Sequence, residues 1–560
     1  MSTLLEQASL VLIPSGYKED VVYSQIPTNG SGDLSFTRAS NGTRVNSAGL
    51  VEVCPWNFLE QSEALDNAAW TSINTTETIG ATAPDGTATA WTLSKSAASG
   101  RLYQVPSVIS GTVTFSVYAK AGTTNQVSLE TGNSFRTLDL STGTLVSGGV
   151  GNYNIESVGD GWYRFSIVDS AYSGVAIYVS PTANTSGNIL VWHPQYNIGS
   201  TAKPYFPTTD RLNVPRLTYQ NGGGGCPSLL LEKQSTNLIE YSEDFSGATW
   251  LNEDIIVSTN QTISPDGTQN ADKLIANTTT LDHSIYQTST GNTRTFSVYA
   301  KAGEYNYIFL GSNNNVAADG AFFNLSNGTI SQNTSGLTAS IESVGNGWYR
   351  CIVSSTSWPT IYTIICLSTN GTSFQFTGNN TSGIYVWGAQ LEASSYATSL
   401  IETTSSSATR VADACYKTGI SSLIGQTSGT VFVDAYIDNI EARANNILFY
   451  LLGASQDKYV LITSSGGVRY IDFPNGNITN NDYGLTNGRH KFAIAYANND
   501  FAFYIDGNLI GTDTSGTPSV CSDFGFFYYA SGYDFPLKVN EAVLFPTRLS
   551  NSELASLTTI

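Results

Sequence analysis

Short runs in which apolar and polar residues alternate recur along the whole chain, separated by turns. In TVTFSVYAK, YRFSIV, VAIYV and NILVW the alternation has the period of a half-buried strand. GTTN, GDG, SGN and PDG interrupt the runs, as Gly, Asn, Asp and Ser do where the backbone must turn. Strands this short at this spacing predict a β-sandwich. Alternation also assigns faces. In TFSVYAKAG (Thr114–Gly122), Phe115, Val117 and Ala119 fall on a core face, and Ser116, Tyr118 and Lys120 on the opposite one. In GWYRFSIV, Tyr163, Phe165 and Ile167 point inward, and Trp162 and Arg164 outward.

The same nine residues TFSVYAKAG return unchanged at Thr295–Gly303. NFLEQSEALDNAAW (Asn57–Trp70) matches NLIEYSEDFSGATW (Asn237–Trp250), and IESVGDGWYR (Ile155–Arg164) matches IESVGNGWYR (Ile341–Arg350). PDGT and a late Val-Trp pair also recur in order, with the interval between copies widening as loops take insertions. A whole sandwich has been duplicated, and the period is far too long for a solenoid. Beyond Val411 the pattern changes to GTVFVDAYID, NILFYLLG, HKFAIAYANNDFAFYIDGNLIGT and KVNEAVLFPTRLS, a third all-β region with NND and DGN as hairpin turns. One helix is expected near the end, with Ser550 as its N-cap. The expected division is a segment 1–55, a first module 56–209, a connector 210–236, a second module 237–403, a connector 404–426 and a third domain 427–560.

Composition agrees with this class. With 11% aromatic and 12% charged residues, 52 Gly and a single Met, the chain suits pleated surfaces and turns rather than long helices. A formal net charge of −19 repels a phosphate backbone, so nucleic acid is not expected as a partner. The apolar run Ala8–Pro14 is too short to span a bilayer and has no preceding Lys or Arg, so neither membrane insertion nor a signal peptide is expected.

Few residues carry a chemical signature. The six cysteines show no metal-finger spacing; Cys351 and Cys366 form the best candidate pair, and no disulfide is expected. Gly222–Gly225 lacks the Lys-Ser/Thr of a phosphate loop. Asp85 and Asp266 sit in PDGT, ordinary turn chemistry, and no spacing marks Glu60, Glu63, Glu240, Glu243 or Glu392 as a glycosidase pair. His193, His283 and His490 lie far apart, with no triad motif around them. Trp192 and Trp387 are expected to pack on the core. The outward aromatic and cationic positions are different. An exposed ring packs on a pyranose while planar polar groups hydrogen-bond its hydroxyls. Tyr118, Lys120, Trp162 and Arg164, with Tyr299, Lys301, Trp348 and Arg350 in the second copy, are therefore the candidate carbohydrate-binding residues. The bland alternative is that a second layer covers this face.

LVLIPSGYKEDVVYSQIPTNGSGDLSFTRASNGTRVNSAGLVE resembles the N-terminal signature of a family of bacteriophage virion proteins. PRLTYQNGGGGCPSLLLEKQSTNLIEYSEDF and VWGAQLEASSYATS are similar to that family's jelly-roll carbohydrate-binding-like modules. RVADACYKTGISSLIGQTSGTVFVDAYI resembles its laminin-G or concanavalin-A-like lectin domain. The resemblance implies an all-β, multidomain chain: two tandem jelly rolls followed by a concanavalin-A-like sandwich. It further implies a head or tail fibre or decoration protein located on the virion, in contact with capsid, portal or tail proteins and host surface glycans. Homo-oligomerisation is expected, a trimer before other states, with the 1–55 segment attaching or oligomerising. A structural Ca²⁺ is compatible with such domains, with no ligands assigned. Catalytic residues are not expected, nor is enzymatic activity. A polysaccharide depolymerase and a ligand-free structural spacer are the alternatives.

Overall fold

A computed structural model describes residues 2–106, 112–147, 152–169, 174–180, 185–220, 223–288, 293–312, 320–334, 336–358, 362–440, 446–453, 457–462, 466–472, 476–526 and 536–560. It is an all-β, multidomain protein in which strands alternate with short turns and only Ser2–Leu5 and Asn551–Thr558 are helical among the described residues. Ser550 caps the second helix through a capping box with Glu553, as the local sequence requires. The chain divides into two compact units, Val53–Leu212 with Asp266–Asn270, and the remainder.

Val53–Leu212 is a sandwich of two six-stranded antiparallel sheets. One sheet runs Tyr153–Gly159, Trp162–Asp169, Val113–Ala121, Gly187–Ile198, Ala90–Lys95, Thr75–Ala81. The other runs Thr144–Ser147, Ser134–Asp139, Gln126–Thr131, Val175–Val179, Arg101–Gln104, Thr71–Ile73. Their facing sides close a core containing Leu93, Phe115, Val117, Leu129, Phe165, Ile177 and Val191. Alternation in TFSVYAKAG thus specified the inward residues: Phe115, Val117 and Ala119 are completely buried, as are Phe296, Val298 and Ala300 in the second copy.

The second unit contains the second copy and the third sandwich. Two six-stranded sheets, within residues 251–368 and 255–392, repeat the strand order of the first copy. Side-chain bonds between segments repeat too. Asn57 Nδ2 donates to the Phe206 carbonyl (3.0 Å) as Asn237 Nδ2 donates to that of Ile401 (2.9 Å). Gln195 Nε2 donates to Lys203 O as Gln390 Nε2 donates to Thr398 O. Each bond satisfies a carbonyl in the closing loop that burial would otherwise strand.

The third sandwich draws strands from three parts of the chain. Leu10–Leu12 pairs with Leu537–Phe545 in the register Leu10↔Leu544, and Ser228–Leu231 pairs with the same strand through Leu229↔Val539. In the opposing sheet Leu34–Thr37 pairs with Ala414–Lys417. Leu12, Phe36, Leu229, Val433 and Phe492 share one core. The expected separate segment 1–55 and the connectors 210–236 and 404–426 are corrected accordingly. Within them Leu10–Leu12, Leu34–Thr37, Ser228–Leu231 and Ala414–Lys417 are strands with partners hundreds of residues away, a pairing that local pattern does not reveal.

Charged groups lock these segments together. Arg38 pairs with Asp413 (2.9 Å), Asp413 with Arg216 (2.5 Å), Arg216 with Glu232 (2.7 Å) and Glu232 with Arg410 (3.3 Å). All five side chains are buried. Burial opposes ionisation of Glu232, but the Arg410 and Arg216 guanidiniums outweigh it and hold the carboxyl far below its ordinary range.

A candidate glycan-binding face on the first sandwich

The outward face of the repeated strand is built by register. Tyr118 lies opposite Arg164 on one side and Trp192 on the other, and Lys120 lies opposite Trp162. In the second copy Tyr299 lies between Arg350 and Trp387, and Lys301 opposite Trp348. The sequence therefore brought the eight predicted residues into two equivalent clusters. Each arginine sits 5.4 Å from the centroid of its tyrosine. Arg164 Nη2 donates to Lys203 O at 2.5 Å and Arg350 Nη2 to Thr398 O at 2.7 Å, so both guanidiniums pin the closing loop.

Exposure separates the copies. Tyr299, Trp348 and Arg350 are buried, packed with Val51, Ala271, Trp387 and Leu400 into a second apolar layer, and Trp348 Nε1 donates to Ile263 O (3.0 Å). Only Lys301 of that set is half-exposed. These three residues form no open platform, because Val51 and the closing loop cover them. Trp162 is likewise buried, against Ala83 and Ala90. Tyr118, Lys120 and Arg164 remain half-exposed.

Two groupings flank Arg164 in the first copy. The first is an aromatic stack. The His193 ring lies between Trp192 (centroids 3.3 Å, 20°) and Tyr205 (3.7 Å, 9°), and the edge of Tyr118 meets Trp192 at 5.4 Å. Burial lowers the His193 pKa, although Glu63, whose carboxylate is 3.3 Å from Nε2, partly opposes it. Trp192 and Trp387 thus belong to the outer layer rather than the sandwich core. His193 stands in a bulge: Ser116 pairs with Gln195 and Tyr118 with Trp192, leaving His193 and Pro194 opposite one residue. Its φ is +49°, and the equivalent residue in the second copy is Gly388 at +61°.

The second grouping is a cleft of ≈ 150 Å³ lined by Asn152, Tyr153, Asn154, Glu156, Arg164, Ser166 and Thr201. Three of these come from the edge strand Tyr153–Gly159, which presents Asn154 and Glu156 beside Ser166 and Arg164. Tyr153 is 45% exposed. The second copy carries bulkier residues at two equivalent positions. Ser340 and Ile352 replace Asn154 and Ser166 in the register. Tyr396, at the same interval after Gln390 as Thr201 is after Gln195, is buried with Lys233 Nζ 4.7 Å above its ring. Face alternation pointed to Arg164, but the cleft depended on loop bulk and was missed. Comparing the copies at Thr201 and Tyr396 is the signal that finds it.

Other candidates resolve into structural roles. Asp85 and Asp266 accept from the backbone N–H of Thr87 and Thr268 in Asx turns. Glu392 is buried and accepts from Ser235, Gln390 and Thr398. All six cysteines are free; Cys351 and Cys366 are buried, and burial pushes both thiols well up. Among the described residues no group of three or more His, Cys, Asp or Glu is arranged to hold a metal ion.

No protein-family model matches the chain, and no curated protein matches it. Solved structures do. The tandem CBM22-1–CBM22-2 domain of Paenibacillus barcinonensis Xyn10C is 13% identical over 59% of this chain and 95% of its own, with a TM-score of 0.18. A protein described as carbohydrate-binding, from Bacteroides ovatus, is 11% identical over 59% of this chain and 85% of its own, with a TM-score of 0.20. Trypanosoma rangeli sialidase bound to 2,3-difluorosialic acid is 10% identical over 87% of this chain and 93% of its own, with a TM-score of 0.21. The expectation that the chain is not an enzyme is corrected here, since glycoside hydrolases are among the matches. Scores of this size assign no activity in turn. What stands is a multidomain all-β chain of sandwiches, with an open polar cleft on the outer face of the first.

Proposed function

We propose that the chain is a bacteriophage virion protein that binds host cell-surface glycans through the outer face of its first sandwich. The observation that carries the binding reading is the cleft beside Arg164, where amide, hydroxyl, carboxylate and guanidinium groups converge. That is the donor and acceptor mixture which recognises sugar hydroxyls. The long N-terminal and connector resemblances support the virion setting.

Multivalency enters through copies of the chain. A shallow sugar site of millimolar affinity supplies only about 4 kcal/mol. Linking sites raises overall affinity by roughly 10²–10⁴ with no new contact. Since the second copy carries Tyr396 where the first has its cleft, the proposed avidity comes from an oligomer, a trimer being the favoured form, held to other virion proteins. The test is binding of the purified chain to an array of host surface polysaccharides, with Thr201→Tyr as control. Retained binding by Thr201→Tyr removes the cleft from the account.

A further inference from the structure

We infer that the cleft selects a neutral sugar ring, held by a vicinal diol that bridges Glu156 and Arg164. The inference rests on the glycan-binding reading above and names its ligand class.

Glu156 and Arg164 are register partners on adjacent strands and line the same cleft, yet no ion pair closes between them. Arg164 commits Nη2 to Lys203 O and Ser116 Oγ, and neither Nε nor Nη1 has a protein partner among the described residues. Nε is buried, as is Nε of Arg350 in the closed copy, so Nη1 is the donor left for a ligand. Glu156 is exposed and offers only acceptors. One side of the cleft therefore donates and the other accepts. Each hydroxyl of a vicinal diol both donates and accepts, so adjacent hydroxyls satisfy both sides at once, with charge-assisted bonds at each end. An anionic sugar fits less well. Its carboxylate would gain from Arg164 but stand beside Glu156, on a chain whose net charge is −19.

Size and composition agree. A water's share of liquid volume is about 30 Å³, so a cleft of ≈ 150 Å³ admits about five, room for one sugar ring. Asn154 and Thr201 supply further neutral donors and acceptors at the walls.

The experiment titrates the full chain with two soluble polysaccharide probes, an unsubstituted neutral hexan and a uronic-acid polymer of matched length, for wild type, Glu156→Gln and Arg164→Lys. Wild type is expected to bind the neutral probe with an affinity that rising salt barely changes. Both variants should weaken it about tenfold, since each removes one charge-assisted partner. Glu156 makes no side-chain hydrogen bond or ion pair among the described residues, so Glu156→Gln keeps the test valid if Arg164→Lys fails to fold. Selective binding of the uronic-acid probe, strengthened by Glu156→Gln and weakened by salt, overturns the ligand class while leaving glycan binding in place. Failure to bind either probe, or any polysaccharide on the host array, overturns both.

Discussion

His193 and Gly388 occupy the same bulge in the two copies, both with left-handed backbone, and only the glycine is free of strain there. A Cβ on Gly388 would come within 2.9 Å of Tyr299 Cδ2. Gly388→His is therefore expected to destabilise by about 2–4 kcal/mol, from a strained φ and an overpacked layer together. His193→Gly should change stability by about 1 kcal/mol or less, because relief of strain offsets the lost stacking. Chemical denaturation of both variants measures the contrast.

The five-residue ionic network should fail when one member is removed. Asp413→Ala takes from buried Arg38 its Asp413 carboxylate and leaves buried Arg216 with Glu232 alone, at a cost of about 3–5 kcal/mol. Glu232 adds an acid signature. Its folded pKa lies below the unfolded one, so its contribution is present above the usual glutamate range and is lost as pH falls through the folded value. Glu232→Gln should be less stable than wild type at neutral pH, with the difference shrinking in acid.

His490 and His193 allow a separate test. Burial pulls the His490 pKa down, but Asp506, 2.6 Å from Nδ1, and the Thr486 carbonyl outweigh it and raise it. Its stabilising contribution is fully present below the unfolded pKa of about 6.5 and is lost as pH rises through the folded value. His193 shifts the opposite way, so its contribution is lost as pH falls. Imidazole proton resonances should accordingly titrate above the ordinary range for His490 and below it for His193. His490→Gln should remove the alkaline-side loss of stability.

Local pattern carried the sandwich class because strand alternation is itself the physical cause of burial: Phe115 and Val117 are core in both senses. It did not carry the partners of distant strands. Nothing near Leu10 specifies Leu544, and nothing near Tyr299 specifies that Val51 and Leu400 cover it. For the same reason Trp162, Tyr299, Trp348 and Arg350 had the right direction and the wrong exposure. The cleft was harder still, since it depends on the bulk of Thr201 and Ser166 in strands and loops whose alternation says nothing about the space above them.

Copying the second module's side chain into the first tests the central claim most directly. Thr201→Tyr places the residue found at Tyr396 beside Arg164 at an exposed loop position, with little expected effect on stability. Affinity for the bound host polysaccharide is the quantity to measure, by calorimetry on the wild type and this variant. A loss of about tenfold or more with unchanged thermal unfolding is the predicted result. Equal affinity in the two proteins would contradict the account and move glycan recognition away from this face.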